Sequence, residues 1–151
     1  ARTVGLHFFS PVPAMKLVEL AYLEESDEAQ VARARQFFEE LGKTPVPVVD
    51  SCGFIVNRLL VPYLLGAISA FSRELAPADA IDTAMTLGYG FPMGPLKLTD
   101  LVGLDVRLSI AEYLSEHLEV GEHFKPPALL REMVAEGKLG KKSGHGFYSW
   151  E

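Results

Sequence analysis

The chain changes character at Asp50-Ser51-Cys52-Gly53, and that change limits what it can fold into. Before this point, segments rich in β-branched and aromatic residues flank one amphipathic stretch. After it, helical periodicity and Gly/Pro turns run on, with no convincing strand before the tail. We therefore expect a boundary near residue 50. Residues 1–50 would form an α/β layer, and residues 51–151 an all-helical unit of about 100 residues, a common domain size.

In the first part, Thr3 to Phe9 and Lys16 to Tyr22 read as strands on either side of the proline-rich turn Pro11-Val12-Pro13. Ser26 and Asp27 open a helix, and Asp27 with Gln30 fits a capping box. Val31, Ala34, Phe38 and Leu41 make its apolar stripe, and Gly42 its stop. Thr44 to Val49 is a short strand. Its Pro45 and Pro47 lack an N–H for the ladder, so it belongs at an edge.

In the second part, residues 54 to about 73 spell one helix that is apolar almost all round, with Pro62 inside it. A second helix should start at Pro77 and stop at Gly88, with Ile81, Ala84 and Met85 inward. A third piece carries Leu96, Leu98 and Leu101. A fourth follows Asp105 as N-cap, with Leu108, Ala111 and Leu114 inward. A fifth covers Pro127 to Glu136, with Leu130, Met133 and Val134 inward. The tail Gly140 to Trp150 is rich in glycine and aromatics.

The 151 residues carry 14 basic and 20 acidic side chains, a net charge of -6. That balance argues against nucleic acid as a partner. The most apolar run, Leu59 to Phe71, falls short of the ~20 residues a membrane span needs, and no signal peptide is visible. The single cysteine, Cys52, can form no intramolecular disulfide, which favours a cytoplasmic setting. It reads either as a small residue before a turn or as a nucleophile without supporting context. The opening Ala1-Arg2-Thr3 has no initiator Met and reads as cut from a longer sequence.

The chemistry gathers in Gly5-Leu6-His7-Phe8-Phe9-Ser10-Pro11 and Lys16-Leu17-Val18-Glu19-Leu20. If the turn centres near Pro13 and the strands pair directly, His7 lies opposite Glu19. A glutamate between Val18 and Leu20 needs a partner, because an unpaired buried charge is costly. A carboxylate beside an imidazole fixes its tautomer and raises its basicity, which is what proton abstraction requires. The alternative is a core histidine with a structural hydrogen bond. Asn57, at the start of the long helix, is either a surface residue or an amide that bonds a ligand oxygen. Gly88-Tyr89-Gly90, Gly140-Lys141-Lys142-Ser143 and Gly144-His145-Gly146 each fail the nucleotide-loop patterns. His117, His123 and His145 share no metal-ligand spacing, so no metal is expected.

Four segments in series resemble the L-3-hydroxyacyl-CoA dehydrogenases, which include the 3-hydroxybutyryl-CoA dehydrogenases. They are Gly5 to Pro11; Gly53-Phe54-Ile55-Val56-Asn57-Arg58; Pro92-Met93-Gly94-Pro95 with Asp100 and Gly103-Leu104-Asp105; and Gly144-His145-Gly146-Phe147-Tyr148. The resemblance implies a mainly α chain. Residues 1–50 would be the last strands and helix of a Rossmann-type NAD-binding domain. Residues 51–151 would be a helical substrate-binding and dimerisation domain of the 6-phosphogluconate dehydrogenase C-terminal type.

By the same resemblance, His7 matches the base that takes the proton of the substrate 3-hydroxyl as hydride passes to NAD. Glu19 matches the carboxylate that orients it, and Asn57 the amide that bonds the reacting oxygen. Ser10 stands near the nicotinamide where the family usually has Asn. The family's dinucleotide loop, its ribose-reading acid and the serine that assists the substrate hydroxyl have no match in these 151 residues. The resemblance further implies an acyl-CoA substrate and a homodimer formed through the helical domain. A catalytically silent oligomerisation module, or a structural protein like lambda-crystallin, is the alternative.

Overall fold

The computed structural model describes residues 3–151; Ala1 and Arg2, which bear on the reading of the chain as cut from a longer sequence, lie outside the described residues. The chain divides into two compact units, residues 1–58 and 59–151.

The first unit is a three-stranded sheet with one helix. Strand β1 spans Gly5–Phe8, β2 Leu17–Tyr22 and β3 Thr44–Val49, with helix α1 at Glu28–Glu40 between β2 and β3. The order is β1-β2-β3; β2 runs antiparallel to β1 and parallel to β3. A parallel pair needs a crossover, and α1 supplies it. The middle strand is the most buried, with Val18, Leu20 and Ala21 inside. The two prolines of β3 lie at the edge of this sheet, where a missing donor costs least.

Asp27 caps α1 by accepting the Ala29 N–H at 2.9 Å rather than that of Gln30. Of the expected stripe only Phe38 is buried; Leu41 is exposed at the C-cap. The β1–β2 turn is tied down by Lys43, whose ammonium donates to the carbonyls of Val12 at 2.6 Å and Met15 at 2.8 Å.

Helix α2 spans Val56–Ser72 and runs through Pro62. Beyond it come α3 at Ala78–Tyr89, α4 at Pro95–Val102, α5 at Leu104–His117 and α6 at Ala128–Ala135. A short 3-10 turn at Gly121–Phe124, absent from the sequence expectation, buries Phe124. The core of the second unit is Val61, Leu64 and Ile68 of α2 with Leu96, Leu104, Ala111, Leu114 and Leu130. No helix among the described residues is long and apolar enough to cross a membrane.

Several details differ from the sequence expectation. Pro77 is the N-cap of α3 rather than its first residue, and Gly90, left-handed at φ 71, ends it two residues after Gly88. The buried residue of α3 is Asp82; Ala84 is exposed, and Ile81 and Met85 are half-buried. On α4 the inner face is Leu96, Thr99 and Asp100, whereas Leu101 is exposed. Asp105 does not cap α5. Gly103 holds the cap position, and the Asp105 carboxylate instead pairs with Lys142 at 2.5 and 2.6 Å.

Two buried carboxylates organise the second unit. Asp82 accepts the Leu96 and Lys97 amides at 2.8 and 2.9 Å, capping α4 from α3. Asp100 accepts the Phe147 and Tyr148 amides at 2.9 Å each and the Trp150 indole N–H at 2.8 Å, holding the tail. A β-carbon at Gly94 would overlap Asp82, and one at Gly146 would overlap Asp100. These glycines stand where a backbone must approach a carboxylate closely.

Candidate active site

In the β1–β2 register His7 lies directly opposite Glu19. The imidazole Nδ1 is 2.6 Å from Glu19 Oε2. The glutamate side chain is 1% exposed and the histidine 27%, so the pair has one closed end and one open end. Glu19 reaches further. Its Oε1 accepts the backbone N–H groups of Ile55 and Val56, both at 2.9 Å, at the entry to α2. The free amides of a helix's first turn are ready partners for an anionic oxygen.

The arrangement leaves one imidazole nitrogen outside the Glu19 contact. Three donors converge on Glu19, so the buried carboxylate is satisfied. With Nδ1–H given to the carboxylate, the imidazole keeps its lone pair on Nε2, the nitrogen free to accept a proton. The imidazole also lies against two aromatic rings. Phe9 is 4.6 Å away between centroids at 54°, and Phe54 is 5.3 Å away at 31°.

Asn57 is half-buried on the first turn of α2, directly after the amide that bonds Glu19. Ser10 is exposed just past β1 and precedes a cis peptide bond to Pro11. Arg58 donates from Nη2 to the Ser51 hydroxyl and, at 3.2 Å, to the Cys52 carbonyl, bracing the turn before α2. Burial pushes the Cys52 thiol up against a weaker downward pull from Arg58. A raised thiol is a poor nucleophile at neutral pH, which favours the structural reading of this cysteine. No group of three His, Cys, Asp or Glu side chains suited to a metal occurs among the described residues.

Sequence reasoning reached the His7–Glu19 pair but not what surrounds it. The amides of Ile55 and Val56 carry no side-chain signal. Phe54 lies in the motif that holds Asn57, yet nothing in its spacing marks a ring destined for His7.

Comparison with known proteins identifies the family. Residues 53–150 match the family model described as the C-terminal domain of 3-hydroxyacyl-CoA dehydrogenase, and residues 1–51 match that of its NAD binding domain. The chain is 49% identical over 150 residues to a 3-hydroxybutyryl-CoA dehydrogenase of Mycobacterium tuberculosis, covering 99% of this chain and 52% of that protein. It is 47% identical to the mitochondrial hydroxyacyl-coenzyme A dehydrogenase of Homo sapiens, covering 99% of this chain and 48% of that one. The crystal structure of an (S)-3-hydroxybutyryl-CoA dehydrogenase from Ralstonia eutropha superposes with a TM-score of 0.93 at 40% identity, over 98% of this chain and 52% of that chain. The chain thus spans about half the length of the curated relatives it matches. By its motifs, its fold and these matches, the chain belongs to the 3-hydroxyacyl-CoA dehydrogenase family.

Proposed function

We propose that the whole protein is an NAD-dependent dehydrogenase interconverting (S)-3-hydroxyacyl-CoA and 3-oxoacyl-CoA. Short acyl chains are favoured, in fatty-acid β-oxidation or short-chain acyl-CoA metabolism. The names of the relatives support the substrate class. The observation that carries the reading is the 2.6 Å His7–Glu19 contact, buried at Glu19 and open at His7.

In this reading His7 Nε2 takes the proton of the substrate 3-hydroxyl while the hydrogen on C3 leaves as hydride. The C3–O bond becomes a carbonyl. Bound NAD supplies the acceptor for that hydride. Glu19 holds the Nδ1 proton and balances the imidazolium that forms. The Asn57 amide donates to the reacting oxygen, where charge develops. The Ser10 hydroxyl, exposed three residues after His7, can donate and accept, which fits a contact to the nicotinamide. Residues 1–50 serve as the end of the NAD-binding domain and residues 51–151 as a helical substrate-binding and dimerisation domain.

The test is reduction of acetoacetyl-CoA by NADH in the full-length enzyme. His7→Ala should lower kcat by about 10²–10⁴-fold, the range a general base contributes. A folded His7→Ala enzyme that keeps most of its rate overturns the assignment.

We further propose a homodimer through the helical domain. An apolar cleft of about 550 Å³ between α2 and α3 is lined by Tyr63, Gly66, Ala70, Ile81, Ala84 and Met85. Leu75, which also lines the cleft, stands largely exposed. Sedimentation as a monomer at high concentration would count against the dimer. The single cysteine supports a reducing compartment, and we assign the cytoplasm. A catalytically silent module has no comparable observation in its favour, since it leaves the paired His7 and Glu19 unused.

A further inference from the structure

Phe54 has a backbone that a side chain of its kind seldom adopts. Its φ is +47°, in the left-handed region that favours glycine, and it follows Gly53 at +79°. The turn around it is braced. The Phe54 N–H donates to the Ser51 carbonyl at 3.0 Å, and the Arg58 N–H reaches the Gly53 carbonyl at 3.3 Å. The Arg58 guanidinium holds Ser51 and Cys52. An aromatic residue kept in such a conformation points to a function that the neighbouring structure sustains.

What the conformation accomplishes is visible on both sides of Phe54. On its C-terminal side, the next two amides, Ile55 and Val56, converge on one oxygen of Glu19. On its side-chain side, the ring lies 5.3 Å from the His7 imidazole and tilted by 31°. The imidazole is thereby bounded by Phe9 just after β1, by Glu19 from β2 and by Phe54 from the turn before α2. Glu19 is the charged group among these neighbours. The bond to Cβ and the hydrogen bond at Nδ1 together still let the ring rock out of its plane. The Phe54 ring packed beside it, tilted by 31°, limits that rocking.

We propose that Phe54 is a positioning residue: its left-handed backbone aims two amides at Glu19 while its ring fixes the plane of His7. One residue outside both strands thus sets the direction of the Nε2 lone pair. The proposal rests on the reading of His7 as the base. It adds that geometry, not only the Glu19 contact, sets the rate. A small misplacement of a reacting group suffices to cost one to two orders of magnitude.

The experiment uses the full-length enzyme and three variants. Phe54→Leu keeps an apolar side chain and removes the flat ring. Phe54→Gly accepts the same φ and removes the ring, so it preserves the backbone half of the device. Phe54→Tyr keeps the ring. Steady-state kinetics should show kcat lowered about 10- to 100-fold in Phe54→Leu and Phe54→Gly, with KM for the acyl-CoA little changed. Phe54→Tyr should restore most of the rate. A second readout is independent of turnover: NMR relaxation of the 13C-labelled His7 ring reports how far the imidazole moves. Its order parameter should fall in the Leu and Gly variants and stay in the Tyr variant, while those of His117, His123 and His145 stay throughout.

A folded Phe54→Leu or Phe54→Gly enzyme with unchanged kcat, or with an unchanged His7 order parameter, overturns the proposal. His7→Ala run alongside separates the two readings. If His7→Ala abolishes activity and the Phe54 variants do not, only the positioning role falls. If His7→Ala is itself active, the base role falls and takes this one with it.

Discussion

Tyr148 donates its phenolic hydroxyl to Asp82 at 2.8 Å, across 66 positions of sequence. The contact joins the tail to the carboxylate that caps α4. Burial first, then the hydrogen bond to Asp82 and the charges of Asp82, Asp79 and Asp100, push the phenol well above its ordinary value. The folded chain therefore holds the phenolic proton more tightly than the unfolded chain does. The stabilisation is fully present below about pH 10, the ordinary tyrosine value, and is lost as pH rises beyond it.

Tyr148→Phe should lower stability at neutral pH by about 1.5–3 kcal/mol, the range for a hydrogen bond to a charged group. It should also flatten the alkaline decline, whose limiting slope is about 1.4 kcal/mol per pH unit for one proton. The decline should not vanish, because burial and the Asp82 charge also raise Tyr63. Urea unfolding of both proteins between neutral pH and pH 11 measures both effects. An unchanged alkaline slope in the variant would remove Tyr148 as its source.

The tail offers a second expectation. Asp100 is fully buried and its three donors all come from residues 147–150. Asp100→Asn turns an amide N–H toward donors and should cost about 3 kcal/mol or more. Gly146→Ala pushes a methyl into the carboxylate and should cost about 1–3 kcal/mol. The chain has one tryptophan, Trp150, and its indole N–H is one of those donors. Its fluorescence should therefore report tail release directly. In both variants the Trp150 signal should change at lower urea than the helical circular dichroism. Coincident transitions would show that the tail does not detach ahead of the rest.

The ion pair of Lys142 with Asp105 lies at the surface, with side chains 45% and 39% exposed. The lysine holds the Asp105 carboxyl below its ordinary value. A depressed carboxyl stabilises the fold above its unfolded value near pH 4, and that contribution is lost as pH falls through the folded one. Solvent screening limits the coupling to under about 1 kcal/mol. A double-mutant cycle of Asp105→Asn and Lys142→Met should give a small favourable coupling at neutral pH. High salt and strong acid should each abolish it. A coupling well above that limit would mean the pair is more shielded than its exposure indicates.

These sites show where the sequence is legible and where it is not. His7 and Glu19 lie on adjacent strands joined by a short turn, so alternation and turn length are enough to bring them face to face. Thr44 to Val49 was readable as an edge strand because two missing N–H groups leave few other places for it. Asp82 and Asp100 gave no such signal. Their partners are backbone amides and a phenol far along the chain, and periodicity records only that a residue is polar. The same blindness misplaced the start of α5. Asp105 has the chemistry of a cap, but Lys142, remote in sequence, claims its carboxylate. Arg107, buried on α5 and pushed down by burial, likewise sits on a face that its charge would assign to solvent.

Glu19→Gln tests the proposed dyad without emptying the site. The substitution keeps the shape, and a glutamine oxygen can still accept the Ile55 and Val56 amides. Its NH2 then faces His7 Nδ1 where the carboxylate stood. A donor at Nδ1 forces the ring proton onto Nε2, the nitrogen that must be free to take the substrate proton. With His7 as base, kcat should fall about 10²–10⁴-fold while the acyl-CoA KM changes little, because binding contacts are untouched. Stability should fall far less than in Glu19→Ala, which leaves two amides and the imidazole without an acceptor in a buried site. Steady-state kinetics and urea unfolding of the full-length enzyme measure the two effects separately. If Glu19→Gln turns over normally, the tautomer argument fails, and Glu19 is then an anchor for the entry to α2 rather than a partner in proton transfer.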